Sequence, residues 1–95
     1  MVERTLLVTA RLGLHARAAA KLVRLASGFD CKVELRRVDT GLSADAKSIL
    51  SVLMLAASRG THLHASAEGV DEEAALIAID RLFNDGFGEQ EPGLP

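Results

Sequence analysis

GLHARAAAKLVRLA, residues 13–26, sets a glycine and a histidine directly before a run whose apolar positions recur at helical spacing. Ala18, Ala19, Leu22, Val23 and Ala26 share one face, which predicts a helix from Ala16 to about Ser27, with Gly28 suited to end it. Upstream, residues 4–10 (RTLLVTA) are rich in strand-forming residues and place Leu6, Val8 and Ala10 on one side. Downstream, CKVELRRV alternates Cys31, Val33 and Leu35 with Lys32, Glu34 and Arg36, the pattern of a strand with one wet face. A turn at residues 39–41 (DTG) and a short third strand at residues 42–44 (LSA) complete a hairpin.

The segment from Ala46 (AKSILSVLMLAAS) is too continuously apolar for an ordinary solvated helix. Either it is deeply buried or part of it forms an exposed patch. After Gly60, THLHASA alternates with Leu63, Ala65 and Ala67 inward and His62, His64 and Ser66 outward. A last helix is expected after Asp71 as cap, with Glu72 and Glu73 at its positive end. Its stripe is Ala75, Ala78, Ile79, Leu82 and Phe83, and Gly86 ends it. The order βαββαβα predicts an α+β open-faced sandwich, a four-stranded, mostly antiparallel sheet with three helices on one face. Handedness rules restrict the strand order without selecting one. Residues 1–88 are expected to form a single domain and residues 89–95 a flexible tail, since GEQEPGLP is poor in apolar residues and holds both prolines.

Composition narrows the function. Eleven basic and thirteen acidic residues leave a formal charge of -2, so there is no general electrostatic attraction to nucleic acid or a membrane surface. The N-terminus lacks the long apolar run of a leader or a membrane span, and the single Cys31 excludes an internal disulfide, which together predict a cytoplasmic protein. Cys31 reads as a small buried residue. His62 and His64 share a strand face, but two ligands do not make a metal centre, and no metal or cofactor is expected.

His15 carries the chemistry. A helix start exposes backbone N–H groups without intrahelical partners and a positive dipole end, a setting that holds phosphate and disfavours protonated imidazole. A neutral imidazole can attack phosphorus, and Arg17 supplies a forked donor for phosphoryl oxygens. On spacing alone, the plainer reading, with His15 a helix cap and Arg17 a solvated side chain, stands ahead of the chemical one. Arg17, Lys21 and Arg24 follow at i, i+4 and i+7 as a basic stripe suited to an acidic partner.

GLHARAAAKLV resembles the active-site segment of the HPr family, the histidine-containing phosphocarriers of the sugar phosphotransferase system. AKSILSVLMLAA resembles the family's regulatory-serine segment, and SAEGVDEEAALIAIDRLFNDGFGE its final strand, third helix and C-terminal end, so the likeness spans residues from about 4 to 89. The resemblance implies that Nδ1 of His15 takes phosphate from an Enzyme I-type kinase and passes it to an Enzyme IIA-type acceptor. Ala16 and Arg17 would hold the phosphate. Such a protein is a monomeric phosphoryl carrier rather than a stand-alone enzyme. The resemblance also places Ser48 where an HPr kinase/phosphorylase acts in some branches, and Ile49, Leu50 and Leu53 where partners dock, an apolar centre that the basic Lys21 and Arg24 would rim. Two residues depart from the pattern. Ala18 replaces the proline that usually follows the arginine, and Ser51 stands where glycine is common in kinase-regulated members.

Two other readings follow from the same residues. One is a regulatory docking module of a nitrogen-related phosphotransferase chain that controls a transcription factor or an enzyme, toward which LFNDGF and LMLAA lean. The other is a ferredoxin-like α+β binding domain in which His15 only caps a helix.

Overall fold

A computed structural model describes residues 1–89 of the chain. The elements run β1 (Val2–Leu7), α1 (Ala16–Ser27), β2 (Lys32–Arg37), β3 (Ser43–Asp45), α2 (Ile49–Met54), β4 (His62–Glu68) and α3 (Glu72–Asn84), followed by a 3-10 turn at Gly86–Gly88. The strands form one antiparallel sheet in the order β1-β4-β2-β3. Strand β4 lies between β1 and β2 and runs against both, so the first two strands in sequence are parallel to each other and separated by the last. The predicted architecture is therefore present, with the strand order that the sequence left open.

Alternation explains the layers. Leu6 sits opposite Leu63, Leu35 opposite Ala65, and Val33 opposite Ala67, and all six are buried. The helices cover this face with Ala18, Ala19, Leu22 and Ala26 of α1, Val52 of α2, and Ala75, Leu76, Ile79 and Phe83 of α3. Each large apolar side chain so buried contributes about 1.5–3 kcal/mol relative to exposure. The opposite face carries Glu3, Thr5, Glu34, Arg36, His62 and His64, where His64 Nε2 meets Glu3 at 3.2 Å.

Several local expectations change. Strand β1 ends at Leu7 rather than residue 10, although Val8 and Ala10 stay buried. Helix α1 ends at Ser27 as expected, but Gly28 has an ordinary right-handed φ of -77°, so it is not a left-handed cap. Helix α2 covers only six residues of the long apolar segment. The Ala46 N–H is bound to the Val33 carbonyl at one end, and at the other the Ala57 carbonyl accepts from the Leu14 N–H at 2.8 Å. Asp71 precedes α3 without capping it, because its carboxylate accepts instead from the N–H groups of Asp30 (2.8 Å) and Cys31 (2.9 Å). Those bonds, the Asp30 N–H first, hold Asp71 below the ordinary carboxylate range. The Glu72 carboxylate instead reaches back to the turn ahead of the helix, accepting from the Gly69 N–H at 3.1 Å. In α3, Leu76 joins the core while Ala78 and Leu82 are only partly buried. Phe29 likewise packs at the core margin.

Of the segment read as a tail, Glu89 is described and lies against His15. The remainder of that tail, residues 90–95, lies outside the described residues.

Candidate phosphoryl-transfer site

The loop from β1 to α1 fixes the position of His15. Gly13 takes φ +67°, and its Cα lies so close to the next loop that a Cβ there would be 2.5 Å from the Ala57 carbonyl oxygen and 2.8 Å from the Ser58 Cα. Only glycine combines that close approach with the left-handed conformation. Leu14 is buried, and its N–H to the Ala57 carbonyl ties the segment down immediately before His15.

His15 is the N-cap of α1, with extended backbone angles (φ -72°, ψ 177°). Its carbonyl accepts from the Ala19 N–H at 2.8 Å, closing the first helical turn, and its side chain returns to the helix start. The Arg17 backbone N–H donates to Nδ1 at 3.3 Å. Because a backbone N–H can only donate, Nδ1 carries a lone pair and Nε2 carries the proton. That proton points to Glu89, whose two carboxylate oxygens lie 2.8 and 2.9 Å from Nε2. The His15 and Glu89 side chains are 25% and 18% exposed, so the pair is partly shielded while the ring remains reachable.

The other sequence candidates divide. Arg17 is exposed beside the helix end, and Ala16 offers its N–H in the first turn. Ala18 is fully buried as the third residue of a helix that starts without proline at that position. Arg24 is exposed, whereas Lys21 is only partly so, because its ammonium donates to the Phe87 carbonyl at 2.6 Å. The basic stripe is thus interrupted at its middle residue. Ser48 is the N-cap of α2, its Oγ accepting from the Ser51 N–H at 3.4 Å. Ile49, Leu50 and Leu53 are exposed, while Val52 and Leu55 face the core, so the apolar segment is partly buried and partly an exposed patch. Met54 on the same helix is exposed as well. Because Ala57 and Ser58 border Gly13, the chain leaving α2 abuts the His15 loop.

One residue of the site escaped sequence reasoning. Glu89 is separated from His15 by 74 positions in a segment with no periodic signal. Lys21 is expected in the basic stripe, but nothing in its spacing indicates the Phe87 carbonyl as acceptor. Elsewhere, Cys31 is buried, and burial followed by its hydrogen bond to Asp71 pushes its thiol up, away from an activated thiolate. Among the described residues, no group of three His, Cys, Asp or Glu side chains converges, and no helix is long and apolar enough to cross a membrane.

The arrangement provides a neutral ring nitrogen with its lone pair at a helix N-terminus, backbone donors around it, and an arginine two residues on. Comparison with known proteins agrees. The family model described as PTS HPr component phosphorylation site matches residues 2–85. The phosphocarrier protein NPr of Escherichia coli strain K12 is 46% identical over 88 residues, covering 93% of this chain and 97% of the relative. The phosphocarrier protein HPr of Treponema pallidum is 49% identical over 90 residues, covering 95% and 100% respectively. Among solved structures, HPr-C-His from Thermoanaerobacter tengcongensis superposes with a TM-score of 0.89 at 37% identity, covering 96% of this chain and all of that one. The chain belongs to the HPr family, the phosphocarriers of the phosphotransferase system.

Proposed function

We propose that Nδ1 of His15 is the phosphoryl acceptor, loaded by an Enzyme I-type kinase and unloaded to an Enzyme IIA-type protein. The observation that carries this reading is the hydrogen-bond pattern of the ring, which leaves the lone pair on Nδ1 at the start of α1. The Arg17 N–H contact to Nδ1 is long at 3.3 Å, so the donor is readily exchanged for a phosphoryl oxygen once a P–N bond forms. The phosphoryl group, with a charge of about -1.5 to -2, then gains from the N–H groups of Ala16 and Arg17, the dipole of α1, and the Arg17 guanidinium. Charge and bonding balance: the lone pair of Nδ1 attacks phosphorus as the donor's P–N bond breaks, and the reverse step on an acceptor histidine restores the ring.

Docking uses the exposed apolar side chains Ile49, Leu50 and Leu53 of α2, together with the exposed Arg17 and Arg24 and the partly exposed Lys21 of α1, which packs against α2. Such a small apolar centre with a basic rim suits transient contact with acidic partners. Ser48 is a second, regulatory site. A phosphate at the cap of α2 places negative charge beside that docking surface and weakens binding without unfolding the helix. Incubation with an HPr kinase and ATP tests this. An unchanged mass removes the regulatory role of Ser48. Incubation with phosphoenolpyruvate and an Enzyme I tests the acceptor. An acid-labile, base-stable phosphate on His15 is expected, and none in a His15→Ala variant.

A further inference from the structure

We infer that Glu89 is a positioning residue for phosphoryl transfer, holding the proton on Nε2 of His15 and balancing the charge that the ring acquires when Nδ1 is phosphorylated; this rests on His15 being the acceptor. The Glu89 carboxylate lies 2.8 and 2.9 Å from Nε2, on the side of the ring away from Nδ1, so it does not block attack. When the Nδ1 lone pair forms the P–N bond, no proton leaves Nε2, and the ring becomes a phosphorylated imidazolium. Its positive charge then faces a carboxylate already in place. A charge-assisted hydrogen bond in that partly buried pair is stronger than the neutral-ring bond before transfer, so the contact favours the product of loading.

The segment that delivers Glu89 is held by several independent features. Gly86, Phe87 and Gly88 take φ values of +60°, +62° and +70° in succession, a left-handed turn that folds the chain back toward α1. For Phe87 that conformation is costly, and burial of its ring offsets the cost. The ring is fully buried and packs on Phe83 with centroids 4.9 Å apart at 60°. Lys21 Nζ donates to the Phe87 carbonyl at 2.6 Å, tying the turn to the same helix that His15 caps. Among the described residues, the charged groups around the pair are few. Arg17 lies on the same helix start, and Lys21 Nζ and the Asp85 carboxylate stand beside Gly88. None of these three is in hydrogen-bond contact with Nε2, so Glu89 provides the ring's carboxylate partner.

The test compares the full-length chain with Glu89→Gln and Glu89→Ala after loading by phosphoenolpyruvate and Enzyme I. Nitrogen-15 NMR of His15 reports the tautomer of the unloaded ring, and the rate of phosphohistidine hydrolysis is followed from pH 5 to 9. The wild-type ring is expected to carry its proton on Nε2. In both variants the acid-promoted rise in hydrolysis moves to lower pH, by about half a unit to one unit. Loading by Enzyme I slows about three- to tenfold, the same shift expressed as a rate. Thermal unfolding identical in all three proteins separates this role from a structural one. Equal hydrolysis profiles in wild type and variants, with His15 phosphorylated in each, overturn the role of Glu89 alone. Absence of phosphate from His15 in the wild type overturns the acceptor assignment, and this inference with it.

Discussion

Replacing Gly13 with alanine tests the packing that positions His15. Two costs combine at this residue. A Cβ at φ +67° carries the left-handed penalty, about 1–2 kcal/mol for a residue other than glycine. It also meets the Ala57 carbonyl oxygen at 2.5 Å and the Ser58 Cα at 2.8 Å, both backbone atoms that cannot rotate away. Moving them strains the loop by about 1–3 kcal/mol and stretches the Leu14 N–H bond to Ala57, worth about 0.5–1.5 kcal/mol. The expected loss is about 2.5–6.5 kcal/mol, a large share of the ~5–15 kcal/mol typical of a domain. Gly41 provides the control. It has φ +77° with nothing within 4 Å of the would-be Cβ, so Gly41→Ala carries only the conformational penalty. Urea unfolding followed by circular dichroism suits a chain without tryptophan. Midpoints should fall in the order wild type, Gly41→Ala, Gly13→Ala, with unchanged slopes. Phosphorylation of His15 should slow in Gly13→Ala and stay at the wild-type rate in Gly41→Ala. Equal midpoints for the two variants would refute the close-approach reasoning.

Other outcomes follow from the same structure. Phe87→Ala removes a fully buried ring and its contact with Phe83, with an expected loss of about 3–5 kcal/mol by denaturant titration. Ser48→Ala deletes a long cap bond to Ser51 and should cost about 0.5–1 kcal/mol, read by the same titration. Asp71 is held below its ordinary range by the N–H groups of Asp30 and Cys31, so its folded pKa is lower than its unfolded one. Its stabilising contribution is complete above the ordinary aspartate pKa of about 4 and is lost as pH falls through the depressed folded value. Stability of Asp71→Ala should therefore depend less steeply on pH below 4 than that of wild type, as measured by thermal unfolding at a series of pH values.

Much of the fold is legible locally. The alternation of Leu63, Ala65 and Ala67 and the stripe of Ala18, Ala19, Leu22 and Ala26 each reveal an element and its buried face, because periodicity follows from strand and helix geometry. The strand order is not local. Inserting β4 between β1 and β2 depends on how the crossovers pack, and no residue of β4 specifies its neighbours in sequence terms. Asp71 shows the same limit at residue scale. An aspartate before an apolar stripe reads as a cap, yet two N–H groups from the turn before β2 compete for its carboxylate and win. Helix α2 is shorter than its apolar run because backbone bonds at Ala46 and Ala57 belong to the sheet and to the His15 loop.

The site divides along the same line. His15 before a helix and the excess of apolar residues from Ala46 are local signals, but spacing leaves their meaning open. The resemblance of GLHARAAAKLV and AKSILSVLMLAA to a known family singles out His15, Arg17 and the exposed side chains of α2. Glu89 could not be singled out from spacing, because its placement depends on the buried Phe87 and on Lys21, which belongs to another element. A polar tail of glycine, glutamate and proline conceals one residue with a fixed partner.

The measurement that bears most directly on the acceptor assignment is nitrogen-15 and phosphorus-31 NMR of the full chain after incubation with phosphoenolpyruvate and an Enzyme I. A single phosphoryl group bonded to Nδ1 of His15, absent from His15→Ala, is the expected result. A phosphate on Nε2, or one that persists in His15→Ala, would contradict it.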